Sequence, residues 1–135
     1  MRIGEVARRS GVSAPAIRYY EAQKLLTRAA RSSAGYRDYS PRVLDELTFI
    51  RRAQRLGLTL EEVGEMLGLG REGRKPCARV VAICTAHLAE IEKRLAELKT
   101  FQGHLEHARR LAQGPCGLTP EGFCRAIFSE RSKAR

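Results

Sequence analysis

Ser10-Gly11-Val12-Ser13-Ala14-Pro15-Ala16-Ile17-Arg18-Tyr19-Tyr20-Glu21-Ala22 is the stretch whose reading decides the fold. Before it, Ile3-Gly4-Glu5-Val6-Ala7-Arg8-Arg9 forms a short amphipathic segment that Ser10-Gly11-Val12 ends. Ser13 is a good N-cap and Pro15 is tolerated in a first turn, so a second helix is predicted from Ala14 to about Ala22. Two short helices joined by a tight Gly-containing turn make a helix-turn-helix, and the second helix carries Arg18, Tyr19 and Tyr20. These twenty residues taken alone fit an ordinary helical hairpin equally well.

Outward from this stretch, Arg31-Ser32-Ser33-Ala34-Gly35-Tyr36-Arg37-Asp38-Tyr39 reads as a β-turn wing, with small residues at the tip and Arg and Tyr on the return. Ser40-Pro41 starts a third helix through about Gln54, offering Leu44, Leu47, Phe49 and Ile50 to the core. Thr59-Leu60-Glu61-Glu62 is a capping box for a fourth helix ending near Gly68, and Gly70 to Lys75 is a charged linker. From Pro76 to about Gln113 one long helix is predicted. Val81, Cys84, Leu88, Ile91, Leu95, Leu98, Gln102, Leu105 and Arg109 alternate by three and four residues, a seam that a lone helix cannot bury and that should pair with its copy. Gly114-Pro115 stops this helix, Thr119-Pro120 is expected to cap a last short helix carrying Cys124, Ile127 and Phe128, and Arg131 to Arg135 reads as a frayed basic tail. The domains are then 1–75, a DNA-binding head with its connector; 76–113, a dimerisation helix; and 114–135, an effector-binding loop, helix and tail.

The 135 residues carry a formal net charge of +10. Residues 1–55 hold twelve basic and five acidic side chains, mostly Arg on the basic side, which favours double-stranded DNA as partner. No apolar run is long enough to cross a bilayer and the first residues lack a signal-peptide core, so a cytoplasmic, nucleoid-associated location is expected. Thiols there stay reduced, so four Cys argue for metal binding or redox sensing before structural disulfides. Cys77 stands at the start of the long helix, and Cys116 and Cys124 follow its end. Some thirty helical residues would hold those ends roughly 50 Å apart, whereas two antiparallel copies would bring them together. A dimer with a shared metal or redox site is the expectation.

The segments Ile3-Gly4-Glu5-Val6-Ala7, Val12-Ser13, Ile17-Arg18-Tyr19-Tyr20-Glu21, Leu25-Leu26, Arg31, Gly35-Tyr36-Arg37-Asp38-Tyr39 and Phe49-Ile50 through Gly57-Leu58-Thr59-Leu60-Glu61-Glu62 closely resemble the MerR family of bacterial transcriptional regulators. The resemblance implies a mainly α fold, with an N-terminal winged helix-turn-helix head, a long antiparallel coiled-coil dimerisation helix and a short C-terminal metal-binding loop and helix. It also implies a homodimer on a promoter palindrome whose spacer is too long for RNA polymerase, repressing in one state and activating by bending and untwisting the spacer in the other. Carried over by position, Ser13, Arg18, Tyr19 and Tyr20 should meet the major groove and its phosphates, and Arg31, Gly35, Tyr36, Arg37 and Tyr39 should supply the wing contacts. Ile17 belongs to the core, Asp38 to a cap or ion pair, and Tyr39 carries the competing reading of half-packing on the third helix.

The metal-sensing branch of the family places one ligand at the start of the dimer helix and two in the loop after it, from the other subunit. The matching positions are Cys77 from one subunit with Cys116 and Cys124 from the other, giving two sites per dimer. Copper-type members are similar in their Cys-x7-Cys loop but look like linear two-thiolate sites with Ser at the position of Cys77. A third thiolate points to a divalent soft or borderline ion, Zn, Cd, Pb or Hg, that switches on metal-resistance or efflux genes. The loop offers no His as a fourth zinc ligand, which favours Cd, Pb or Hg unless His87 or water completes the shell. Cys84 sits on the seam as a small hydrophobe, and together with His87 it is the possible additional ligand pair. His104 and His107, three apart near the far end of the helix, read as solvated.

An enzyme is not expected, because a Cys–His pair in a cleft or a C-x-x-C motif is missing from the pattern, as is the C-x2-C spacing of a closed structural zinc site. Clustered Cys for an iron–sulfur centre and the larger ligand domain of multidrug members are also lacking. A Cu(I) sensor, or a thiol-oxidation sensor using Cys77 and the loop Cys, is the alternative effector reading.

Overall fold

The computed structural model describes residues 1–128. Six helices and a two-stranded wing follow in the order α1 (Ile3–Ser10), α2 (Ala14–Ala22), β1 (Ala30–Arg31), β2 (Arg37–Asp38), α3 (Arg42–Arg55), α4 (Leu60–Arg71), α5 (Cys77–Gln113) and α6 (Arg125–Phe128). The chain divides into two compact units, Met1–Cys84 and the residues from Thr85 on, and each is described by itself.

In the first unit α1 ends at Gly11, whose φ of 73° is the left-handed cap conformation that glycine adopts without a Cβ penalty. Ser13 then caps α2, its hydroxyl accepting from the Ala16 N–H at 3.3 Å. The turn between them is therefore fixed at both edges by local chemistry. α1 packs on α2 and α3, and α3 on α4. Val6, Val12, Ile17, Leu25, Leu26, Tyr39, Val43, Leu47, Ile50, Ala53 and Val63 form the shared core. Of the four α3 side chains predicted for it, Leu47 and Ile50 are buried and Leu44 is half-buried, while Phe49 is exposed and Val43 takes the fourth place. The helix phase set by Pro41 turns the Val43, Leu47, Ile50 stripe inward, and Phe49 falls one position outside it.

Glu46 is the one charged residue buried among those described. Its carboxylate accepts from the Thr27 N–H at 2.9 Å and from the Thr27 hydroxyl, and it pairs with Arg42 at 3.4 Å and Arg71 at 3.6 Å. Arg71 also donates to the carbonyls of Lys24 and Leu25. This network ties the loop after α2 to α3 and α4, and it satisfies a carboxylate that would otherwise be costly to bury. The anchoring of Arg71 accounts for α4 continuing three residues past its expected end at Gly68, which shortens the linker to 72–76. The capping box at its start is formed as expected, with the Thr59 hydroxyl accepting from the Glu62 N–H at 3.1 Å and the Glu62 carboxylate accepting from the Thr59 N–H at 2.9 Å.

The wing pairs Ala30 with Asp38 and Arg31 with Arg37, and Gly35 turns its tip with φ of 82°. α5 begins at Cys77, and Arg79 in its first turn grips Glu65 of α4 through two contacts of 2.7 and 3.2 Å. The Glu65 carboxyl is held below its usual range chiefly by that hydrogen bond. Among the described residues no helix is long and apolar enough to cross a membrane.

The second unit contains the rest of α5 and the loop after it. Leu88, Ile91, Leu95, Leu98 and Leu105, all on the predicted seam, are each more than half exposed in the single chain. The last helix departs from expectation: Thr119-Pro120 does not cap it, and α6 starts only at Arg125. Thr119 instead closes a tight turn, its N–H donating to the Phe123 carbonyl at 2.8 Å and its hydroxyl accepting from the Phe123 N–H at 3.0 Å. Gly122, with φ of 89°, lets the chain reverse there, so residues that would have entered a helix form a hairpin. The expected basic tail, Arg131 to Arg135, lies outside the described residues.

Candidate nucleic-acid interface and thiol loop

The helix-turn-helix and the wing frame one cleft of about 430 Å³, lined by Arg2, Arg18, Arg31, Gly35, Tyr36 and Arg37 among others. Arg18 comes from α2, Arg31 and Arg37 from the two wing strands, and Arg2 from the residue that precedes α1. Four guanidinium groups around one opening make a strongly attractive site for phosphate oxygens. Arg31 donates to the Gly35 carbonyl at 2.9 Å and so stiffens the wing tip. The Arg2 guanidinium lies 4.3 Å from the centre of the exposed Tyr36 ring, a cation–π contact that holds both beside the cleft.

On α2 the two tyrosines part company. Tyr19 is 52% exposed, whereas Tyr20 is half-buried with its hydroxyl donating to Gln54 of α3 at 3.3 Å. Arg37 pairs with Glu21 at 3.2 Å, so its guanidinium is aimed from α2 as well as from the wing. Tyr39, expected among the wing contacts, is corrected: it is 2% exposed and belongs to the core. Its hydroxyl donates to Glu21 rather than facing solvent. Burial first, and then the Glu21 carboxylate, push its pKa up to about 12. The physical reason is that Tyr39 lies just past the end of β2, where its backbone exchanges hydrogen bonds of 2.7 Å with Met1 in both directions and its hydroxyl reaches Glu21 of α2, so the ring joins the core.

Arg2 was not legible as a site residue, because nothing local marks it and only the fold brings the start of the chain beside the wing. Glu21 ends the Ile17-Arg18-Tyr19-Tyr20-Glu21 segment, and only the fold gives it partners, Arg37 and Tyr39. Its position in the last turn of α2 gave the available signal, since a carboxylate near a helix C-terminus is disfavoured by the helix dipole and gains from a cationic partner.

Of the four cysteines, all free and exposed, Cys116 and Cys124 meet, their sulfurs 4.0 Å apart. The hairpin accounts for this: Leu118 bridges Cys124 in antiparallel register, and the Arg125 N–H donates to the Gly117 carbonyl at 3.0 Å. Cys124 directly precedes α6, and the N–H groups of Ile127 and then Ala126 hold its thiol below the ordinary cysteine range. Two thiolates on one ion at about 2.3 Å per bond lie about 4 Å apart in trigonal geometry, so the pair fits a shared metal. Cys77 is the first residue of α5, Cys84 lies two turns further along it, and His87, His104 and His107 are half-buried on the same helix. Among the described residues of a single chain, no three His, Cys, Asp or Glu side chains gather as a metal-holding cluster.

Comparison with known proteins gives a consistent picture. Residues 1–69 match the family model described as MerR HTH family regulatory protein, and residues 44–108 match that described as MerR, DNA binding. The chain is 40% identical over 114 residues to the HTH-type transcriptional regulator PA4778 of Pseudomonas aeruginosa, covering 84% of this chain and 86% of that protein. It is 37% identical over 107 residues to heavy metal-dependent transcription regulator 2 of Rhizobium meliloti, covering 79% and 73% respectively. Among solved structures, the transcription regulator PbrR691 from Ralstonia metallidurans CH34 in complex with lead(II) is similar, with a TM-score of 0.75, 31% identity and coverage of 96% of this chain and 98% of that one.

Proposed function

Because the chain belongs to the MerR family of helix-turn-helix regulatory proteins and is a DNA-binding transcription regulator rather than an enzyme, we propose that it is a homodimeric, metal-responsive regulator. In this reading it binds a promoter palindrome and activates metal-resistance genes when a soft divalent ion binds. The single observation that carries the metal reading is the preformed thiol pair of Cys116 and Cys124, with sulfurs 4.0 Å apart and one thiol already acidified by helix N–H groups.

The DNA-facing residues are Ser13, Arg18, Tyr19, Tyr20, Arg31, Gly35, Tyr36 and Arg37, joined by Arg2. Their clustered positive charge supplies phosphate affinity, and deforming the promoter costs several kcal/mol that such contacts offset. Pairing of two α5 seams in antiparallel fashion would bury the exposed leucines and bring Cys77 of one subunit toward the loop of the other. Cys77 then completes a three-thiolate site with Cys116 and Cys124, and a bound ion supplies the positive charge that holds three thiolates in one place. Ion binding biases the dimer between two arrangements of its heads, and the heads distort the promoter in only one of them. Support for a metal effector comes from the heavy metal-dependent regulator of Rhizobium meliloti and from the lead(II) complex of PbrR691.

A second reading has its own observation: the loop pair converges within one chain without Cys77, and two thiolates suffice for a linear Cu(I) site. Titration of reduced, metal-free protein with Cd(II), Pb(II), Hg(II), Zn(II) and Cu(I) under thiol competition separates the two. The three-thiolate reading expects one tight divalent ion per subunit, lost in Cys77→Ser. Tight binding of Cu(I) alone, unaffected by that substitution, would replace it with the two-thiolate reading.

A further inference from the structure

We infer that Cys116 and Cys124 form a redox-active dithiol that closes to an intrachain disulfide by exchange with a low-molecular-weight disulfide, and that closure withdraws both sulfurs from metal. The inference takes the function of the loop as proposed above and adds a control over it. The sulfurs are 4.0 Å apart and both residues are exposed, so an exchanging disulfide can reach either. The hairpin sets them diagonally across from each other, Cys116 two residues before Leu118, which bridges Cys124; Thr119 and Phe123 are joined by two hydrogen bonds, and the Arg125 N–H reaches Gly117. Much of the ordering that brings two thiols together is thus already done by backbone hydrogen bonds, which raises their effective concentration toward each other. Closing from 4.0 Å to a bond of about 2.05 Å asks for side-chain rotation and a small hinge movement, for which Gly114 and Gly117 flank Cys116.

The chemistry balances without a further reactant. One protein thiolate attacks a sulfur of the small disulfide, forming a mixed disulfide and releasing one small thiol. The second protein thiolate attacks the protein-side sulfur of that mixed disulfide and releases the other small thiol. Two protein thiols are oxidised, one small disulfide is reduced to two thiols, and the two protein protons end on the released thiols.

The test uses the full-length, metal-free protein equilibrated with oxidised and reduced glutathione, quenched with acid and digested with trypsin. Residues 111–125 contain both cysteines and have no Lys or Arg before Arg125, so closure appears as one peptide lighter by two hydrogens and resistant to alkylation. Cys116→Ser should stop at the glutathione adduct on Cys124. Closed protein should lose the thiolate-to-Cd(II) absorbance that reduced protein shows. Stable glutathione adducts on both wild-type cysteines without closure, linkage to a peptide containing Cys77 or Cys84, or undiminished Cd(II) binding by the closed form would each overturn the inference. Failure of the metal reading is read separately: closure that prior Cd(II) loading does not slow supports the dithiol and counts against the metal site.

Discussion

Arg18 is the residue on which the DNA reading rests most directly, because it is the cation that α2 itself sends into the arginine-lined cleft. Arg18→Ala should weaken operator binding by about 1–3 kcal/mol in a gel-shift titration; an unchanged affinity would refute its place on the groove. Tyr39 makes the opposite case. Its buried hydroxyl on Glu21 predicts that Tyr39→Phe lowers folding stability by about 1.5–3 kcal/mol, the range for a hydrogen bond to a charged partner. The pH dependence has a definite sign. The folded pKa of about 12 lies above the ordinary 10.0, so this contribution is fully present below pH 10.0 and is lost as pH rises toward 12. Chemical denaturation at stepped pH should show that decline in wild type and a shallower one in Tyr39→Phe.

At the level of elements, the head explains itself locally. Gly11 and Ser13 set the turn, Thr59 and Glu62 cap α4, and Glu46 with Arg71 locks the joint between them. α5 does not, since a helix whose Leu88, Ile91, Leu95, Leu98 and Leu105 all face solvent lacks the packing that stabilises long helices. Leu98→Asp places a charge in the middle of that stripe. Sedimentation should show a monomer in place of the homodimer proposed for wild type, with loss of helical circular dichroism attributable to α5; an intact dimer would show that the seam lies on another face. The head core, which uses none of these residues, should keep its near-native signal.

At the scale of the whole molecule, the proposed function gives DNA binding and effector sensing to different residues, so they should separate genetically. Cys77→Ser is expected to abolish or retune the divalent response in a reporter assay while operator affinity stays within twofold. A folded Cys77→Ser dimer that no longer binds operator would sink that division of roles. The exposed thiols make the same substitution a mild one for folding, because Cys77 contributes nothing to the core.

Much of this protein is written in short-range chemistry that a reader of the chain can follow. Ser13, Gly11 and the Thr59–Glu62 box announce helix ends because caps act within three or four residues, and the three–four spacing of the α5 leucines announces an unpartnered seam. The distribution of Arg, and the placing of Cys77, Cys116 and Cys124 on either side of one helix, likewise needed no coordinates. What only the tertiary structure decided involves residues distant in sequence or choices between competing local turns. Arg2 joins the proposed DNA face because the chain start folds beside the wing, and Tyr39 leaves it because Glu21 and the α3 core claim its ring and hydroxyl. Thr119 and Gly122 build a hairpin where a helix cap was expected, and that hairpin brings Cys116 within 4.0 Å of Cys124. Caps and periodicity depend on neighbours along the chain, whereas burial and the meeting of two thiols depend on which distant groups the fold sets against them.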